Sequence, residues 1–194
     1  MSEPSKAQEA TKSDEELMLL FQQGWRGAFD EILSRFKDPV VQFLYHYVRD
    51  GNLAHDLAQE TFLAIFKARE TYQPVGLLRT WIFSIARNQV FSHFRRMGRH
   101  PDQMGGGGDA QEALESIARE TPVPSRKLEM QEEIERVRKA VDELPPIYRE
   151  VVYLRIFKDY PYREIADILG VNESTLRTRM EYALKYLRIQ MKSE

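Results

Sequence analysis

The stretch REIADILGVNESTLRTRMEYALKYLR, from Arg163 to Arg188, constrains this chain more than any other feature. Its spacing predicts a helix, a tight turn and a second, basic helix. Ala166 falls where two helices cross closely, and a larger side chain there forces them apart. Gly170, four residues on, supplies the backbone angles the turn requires. Leu176 is the apolar residue that returns the second helix onto the first, and Asn172 is suited to cap it. Arg177, Thr178, Arg179, Tyr182 and Lys185 stud that helix with groups fitted to phosphates and base edges. A helix-turn-helix that binds DNA is the expectation.

The rest of the chain is patterned for helices as well. Ser13 and Glu16 form a capping box ahead of Leu17, Leu20 and Phe21. A helix is expected over 26–37, with Phe29, Ile32, Leu33 and Phe36 on one face. Asp38 then caps another, with Pro39 in its first turn and a stripe of Val40, Phe43, Leu44 and Tyr47. Asn52 starts a third that runs to Glu70 and turns Leu53, Leu57, Phe62, Ile65 and Phe66 inward. After Pro74 and Gly76, a helix over 77–97 buries Ile82, Ile85 and Ala86. From Gly98 to Pro124 the composition changes to four consecutive glycines and mostly acidic charge, which oppose compact folding. Beyond Ser125 the helical pattern resumes through Leu128, Ile134, Val137, Val141 and Leu144, is interrupted at Pro145 and Pro146, and continues from Tyr148 to Phe157.

The expected fold is all-α: two small helical domains joined by a flexible acidic linker, the second carrying the helix-turn-helix. A disordered tail (1–12), a first domain (13–97), the linker (98–124) and a second domain (125–194) divide the chain. Net charge is −2, so DNA contact must come from local patches rather than overall polycation character. With no cysteine, disulfides and thiolate zinc sites are excluded. The polar, acidic first residues lack the apolar core of a signal peptide, and no apolar run reaches membrane-spanning length. A soluble, cytoplasmic protein is expected.

Two further stretches carry candidate binding groups. In DLAQETFLAIFKARETY, Asp56 and Glu60 lie one turn apart on one helix face. Without a Glu-x-x-His motif, and with His46, His55, His93 and His100 in no ligand pattern, they read as a solvated acidic face or a docking face for a basic partner helix. In RTWIFSIARNQVFSHFRR, the spacing of Trp81, Phe83, Phe91 and Phe94 wraps around the helix, so some of these rings reach the surface. Arg87, Arg95, Arg96 and Arg99 stand near them. Rings for stacking and cations for phosphates suit single-stranded nucleic acid, with core packing the competing role for Trp81 and Phe83. There is no Gly-rich phosphate loop ending in Lys-Ser or Lys-Thr, no nucleophile elbow and no metal site, so neither an enzyme nor a cofactor is expected.

Taken in order, AFDEIL from Ala28, DLAQETFLAIF from Asp56, RTWIFSIARN from Arg79, LPPIYREVVYLR from Leu144 and the helix-turn-helix resemble bacterial sigma factors of the extracytoplasmic-function group. The resemblance implies an alternative sigma factor that binds core RNA polymerase, recognises and melts promoters, and directs initiation. It implies docking on the large clamp subunit through Asp56, Gln59 and Glu60. It places the minus-ten element on Lys67, Tyr72, Arg79, Trp81, Asn88, Arg95 and Arg96, with a flipped base received by the loop from Gln73 to Thr80 beside Asn88. The minus-35 element falls to Asn172, Thr175, Arg177, Thr178, Arg179, Glu181, Tyr182 and Lys185, and the polymerase flap to the same domain. Many relatives are held by an anti-sigma factor, which makes one a possible partner here; the free protein is expected to be monomeric.

The chain departs from the family pattern at Ser92, where an acid is usual, and at Tyr182 and Leu184, where arginines are common. Its loop, QPVGLLRT, is poorer in small polar groups than is typical. A ligand-sensing repressor is the competing class; it predicts a dimer on a palindromic operator, and no sustained heptads provide a dimerisation helix.

Overall fold

A computed structural model describes residues 12–98 and 136–191. The acidic tail, the linker and the pattern through Leu128 and Ile134 lie outside the described residues. Every regular element among the described residues is helical. They fall into two compact units that part near the end of the fourth helix.

In the first unit, α1 (Asp14–Gln22) opens on the expected capping box. The Ser13 hydroxyl accepts from the Glu16 N–H at 3.2 Å, and the Glu16 carboxylate accepts from the Ser13 N–H at 2.8 Å. Those bonds hold the Glu16 carboxyl below the usual carboxylate range. Three acids in the first turn complement the helix dipole. Arg35 of the next helix fastens this end, donating to Asp14 (2.8 Å) and to the Lys12 carbonyl (2.9 Å).

That next helix, α2 (Arg26–Val48), is continuous, where the sequence suggested two helices divided at Asp38. Pro39 lies inside it. An interior proline costs about 3 kcal/mol, through one lost hydrogen bond and a clash. Against that, Ile32, Phe36, Val40, Phe43 and Tyr47 form one unbroken buried stripe, and each large side chain buried contributes about 1.5–3 kcal/mol. The stripe outweighs the proline. Arg49 closes the helix in the left-handed conformation (φ 55°).

Helix α3 (Gly51–Ala68) starts one residue before the expected Asn52, because Asp50 caps it, accepting from the N–H groups of Asn52 and Leu53. Ala54, Leu57, Ala58, Thr61, Phe62 and Ile65 are buried. Phe66, expected inward, stays 38% exposed and packs edge-on against Phe29 beneath Arg69. A short 3-10 turn (Arg69–Thr71) and a loop lead to α4 (Leu78–Arg96). There Ile82, Phe83, Ala86, Val90 and Phe94 are buried. Ile85 is only half-buried.

Among the described residues of the second unit, a helix covers 136–143, α5, and buries Ala140 and Val141. Pro145 and Pro146 end it and start α6 (Pro146–Val152), Pro146 taking the first helical position where no N–H is missed. One π-helical turn, Tyr153–Phe157, follows. The helix-turn-helix comprises α7 (Tyr162–Leu169) and α8 (Glu173–Gln190). Gly170 is left-handed (φ 62°), as the turn demands. Ala166 is half-buried, and its carbonyl accepts from the N–H groups of Gly170 and Val171 and closes the turn.

A Cβ on Gly170 meets nothing within 4 Å, so a substitution there costs backbone strain alone. Gly170→Ala is expected to lower stability by about 1–2 kcal/mol, and Gly170→Asn by less, as measured by urea unfolding. Equal stability of Gly170→Ala and the parent would show that the turn tolerates right-handed angles.

Candidate polymerase and nucleic-acid interfaces

Asp56, Gln59 and Glu60 all stand exposed on α3. Beside them a groove of about 460 Å³ runs between α2 and α3, lined by Phe29, Leu33, Val41, Phe62 and Phe66, with Gln59 on its rim. Leu63, one turn beyond Gln59, is 59% exposed. The acidic row therefore borders an open apolar channel. A surface of this kind can steer a partner by charge and offer it apolar area to bury.

The minus-ten set separates by position. Trp81, Asn88 and Arg95 recur every seven residues, so they share one face of α4. Asn88 and Arg95 are exposed on that face, and Trp81 is half-buried. Arg96 borders the stripe and is also exposed. Arg79 points from the opposite side of the helix and is half-buried, while Lys67 stands exposed on α3. Tyr72 is 6% exposed and packs against Trp81 in a tilted arrangement, with ring centroids 5.0 Å apart and the planes inclined by 57°. It is a support for the indole rather than an open platform. The aromatic wrap expected of this helix is present: Phe83 and Phe94 are core, whereas Trp81 and Phe91 reach the surface. The Arg87 guanidinium lies 4.2 Å from the Phe91 ring centroid.

On α8 the Asn172 side chain accepts from the Thr175 N–H at 2.8 Å and from the Ser174 hydroxyl at 2.7 Å. Arg177, Thr178, Glu181, Tyr182 and Lys185 are exposed, and Thr175 is half-buried. Arg177 lies over the Tyr162 ring at 4.8 Å and pairs with Glu173 at 3.4 Å, so its stem is aimed before any ligand arrives. Tyr182 sits 6.1 Å from Tyr148.

Arg179 is different. It turns inward and pairs at 3.0 Å with Glu150 of α6, whose side chain is 1% exposed. The signal was available in the spacing: Arg179 follows Leu176 by three residues and precedes Ala183 by four, both buried. The neighbouring Arg149 is also buried and donates to the Leu144 carbonyl. Neither the Arg179–Glu150 pair nor the Arg149–Leu144 bond was read from the sequence.

Residues 32–100 match the family model for Sigma-70 region 2, and residues 134–187 the model for Sigma-70, region 4. The RNA polymerase sigma-H factor of Pseudomonas aeruginosa is 26% identical over 87% of this chain and 89% of its own length. The ECF RNA polymerase sigma factor SigX of Bacillus subtilis is 26% identical over 84% of this chain and 83% of its own. The chain belongs to the extracytoplasmic-function sigma factors.

Two solved structures share the sigma factor's fold. CnrH in complex with the cytosolic domain of CnrY superposes with a TM-score of 0.66 at 20% identity, covering 94% of this chain and 99% of CnrH. The sigma factor RpoE in complex with the anti-sigma factor NepR from Bartonella quintana gives 0.60 at 22% identity, covering 84% and 96%. No helix among the described residues is long and apolar enough to cross a membrane.

Proposed function

We propose that this sigma factor divides promoter recognition between its two units: the first (13–97) docks on the polymerase clamp and captures the minus-ten strand, the second (125–194) reads the minus-35 element, and the stretch 98–124 links them. The observation that carries this reading is the exposed, capped face of α8 that presents Arg177, Thr178, Glu181 and Lys185 together. Clamp docking falls to Asp56, Gln59 and Glu60 with the adjoining channel. The Trp81–Asn88–Arg95 stripe, with Arg96 and Lys67, serves the melted strand. Exposed Ile156 and Phe157, both 59% exposed, offer an apolar patch to the polymerase flap.

Opening DNA exchanges one set of stacks for another. Unstacking costs a few kcal/mol per base, and an aromatic platform returns about 1–3 kcal/mol. The sigma factor supplies a surface complementary to melted DNA, and the polymerase performs nucleotide transfer. Its work on chromosomal promoters places it in the cytoplasm. An anti-sigma factor that covers the α2–α3 channel would block the docking surface. Multi-round transcription with purified core polymerase on genomic fragments, followed by mapping of start sites, tests the whole reading. Absence of any sigma-dependent start site would overturn it.

Within α8 the roles separate along the axis. Arg177 lies in the first turns, which meet base edges in the major groove, whereas Lys185 lies two turns later, near the backbone. Arg177→Ala is expected to cost roughly 1–3 kcal/mol on the cognate minus-35 sequence and to flatten discrimination among variants. Lys185→Ala is expected to weaken all sequences alike and to reduce the salt slope by about one unit. Binding isotherms on a randomised minus-35 duplex library distinguish the two. Unchanged affinity and preference for both variants would remove α8 from the DNA interface.

A further inference from the structure

We infer that α1 is a clamp for the base-receiving loop, and that Glu15 and Gln22 are positioning residues for minus-ten capture. The two side chains stand two turns apart on α1 and grip the two shoulders of the same loop. At the entry, the Gln22 amide donates to the Tyr72 carbonyl at 3.1 Å and to the Glu70 carbonyl at 3.3 Å. At the exit, a Glu15 carboxylate oxygen accepts from the Leu78 N–H at 2.8 Å. Leu78 is the first residue of α4, so this carboxylate caps the helix that carries Trp81 and Asn88. The bond spans 63 residues of chain.

Between these shoulders the loop has little support of its own. Val75 is 88% exposed and Leu77 39%, and a Cβ on Gly76 would meet nothing within 4 Å. The Val75 N–H donates to the Gln73 carbonyl at 2.8 Å, a tight local turn whose direction depends on where the shoulders stand. Tyr72 completes the entry shoulder. Burial first, and then the Glu15 charge, push its hydroxyl above the ordinary phenol range.

The clamp is itself anchored. Arg35 ties the α1 start to α2, and its charge is kept, against partial burial, by hydrogen bonds to Asp14 and Glu31. Leu17, Met18 and Phe21, between the two gripping side chains, are buried. A rigid helix thus holds both ends of an exposed loop before DNA arrives. Preorganisation of this kind lowers the ordering cost of binding and sharpens preference.

The inference rests on the loop being the base receiver, and its test keeps the two apart. Holoenzyme is assembled with wild type, Glu15→Ala, Glu15→Gln, Gln22→Ala and a loop variant in which Gln73, Val75 and Leu77 are glycine. Each is mixed with a pool of short randomised single-stranded DNAs, and captured strands are sequenced and their affinities measured. Amide hydrogen exchange is followed over 73–78. Glu15→Ala and Gln22→Ala are expected to bind the enriched strand about tenfold more weakly, to broaden the selected sequences and to speed loop exchange. Glu15→Gln, whose amide oxygen still accepts from Leu78, is expected to recover part of each loss. Minus-35 duplex binding and core affinity should stay at wild-type level, which a general loss of folding would not allow. Wild-type exchange over 73–78 in both alanine variants overturns the clamp. So does wild-type strand capture in those variants when the loop variant has lost it. If the loop variant captures strands normally, the base-receiver reading fails instead, and the exchange data alone decide the clamp.

Discussion

A sigma factor carrying Asp56→Arg and Glu60→Arg is expected to fall off core polymerase while keeping its helical fold. Both carboxylates are exposed, so neither holds the core of its domain. Reversal turns attraction into repulsion toward a basic partner helix, and like-charge juxtaposition across an interface costs several kcal/mol. Affinity should therefore fall by a hundredfold or more on that scale, roughly 3 kcal/mol or greater. Co-purification with core, circular dichroism and binding to a minus-35 duplex measure the three relevant properties. A reduction of all three would report misfolding. Normal core affinity in a folded double variant would rule out this face as the docking surface and move attention to the channel alone. A Leu63→Asp variant separates the contributions: it leaves the acidic row intact and spoils the exposed apolar edge.

The second large effect is expected at the tie between α6 and α8. Arg179→Met leaves the Glu150 carboxylate buried without its arginine, and breaking a buried pair from one side costs about 3–5 kcal/mol. The Arg179 side chain is 19% exposed, so the lower end of that range applies. The paired change Arg179→Met with Glu150→Leu removes both charges together and is expected to recover most of the loss, since hydrophobic replacements of buried pairs are often neutral. Thermal and urea unfolding measure this. Were Arg179 a DNA contact, Arg179→Met would weaken duplex binding and leave stability unchanged. That opposite pattern would refute the inward placement.

Arg179 also marks the boundary of what was legible in the sequence. Local devices were readable because their chemistry is contained within a few residues. The Ser13–Glu16 box, the Asn172 cap, the left-handed Gly170 and the buried Leu176 all appear where their spacing put them. The inward pairing of Arg179 with Glu150 was not read, because its residue type, in a basic helix, drew more weight than its place on the apolar stripe. Pro39 misled in a related way: its local cost was plain, whereas the longer stripe that overrides it required α2 and α3 to be packed together. Tyr72 was read as a DNA-facing ring because nothing nearby in sequence shows Trp81 resting on it. The grip of Glu15 on Leu78 was beyond reach for the same reason, since partners so distant in the chain leave no periodic trace.

The inward turn of Arg179 has an evolutionary consequence. On α8 the groups that fasten the helix to its domain and the groups that face outward occupy different stripes, with little overlap between them. Arg179, Leu176, Met180 and Ala183 secure the fold, while Thr178, Glu181 and Lys185 are free of that duty. If the outer stripe reads promoter DNA as proposed, mutations there alter promoter preference while leaving the packed stripe, and with it stability, largely untouched. On that reading, a duplicated gene of this type reaches a new promoter preference through substitutions on one face, each of small cost to stability. The same separation offers an engineer a set of mutually insulated regulators built on a single unchanged scaffold.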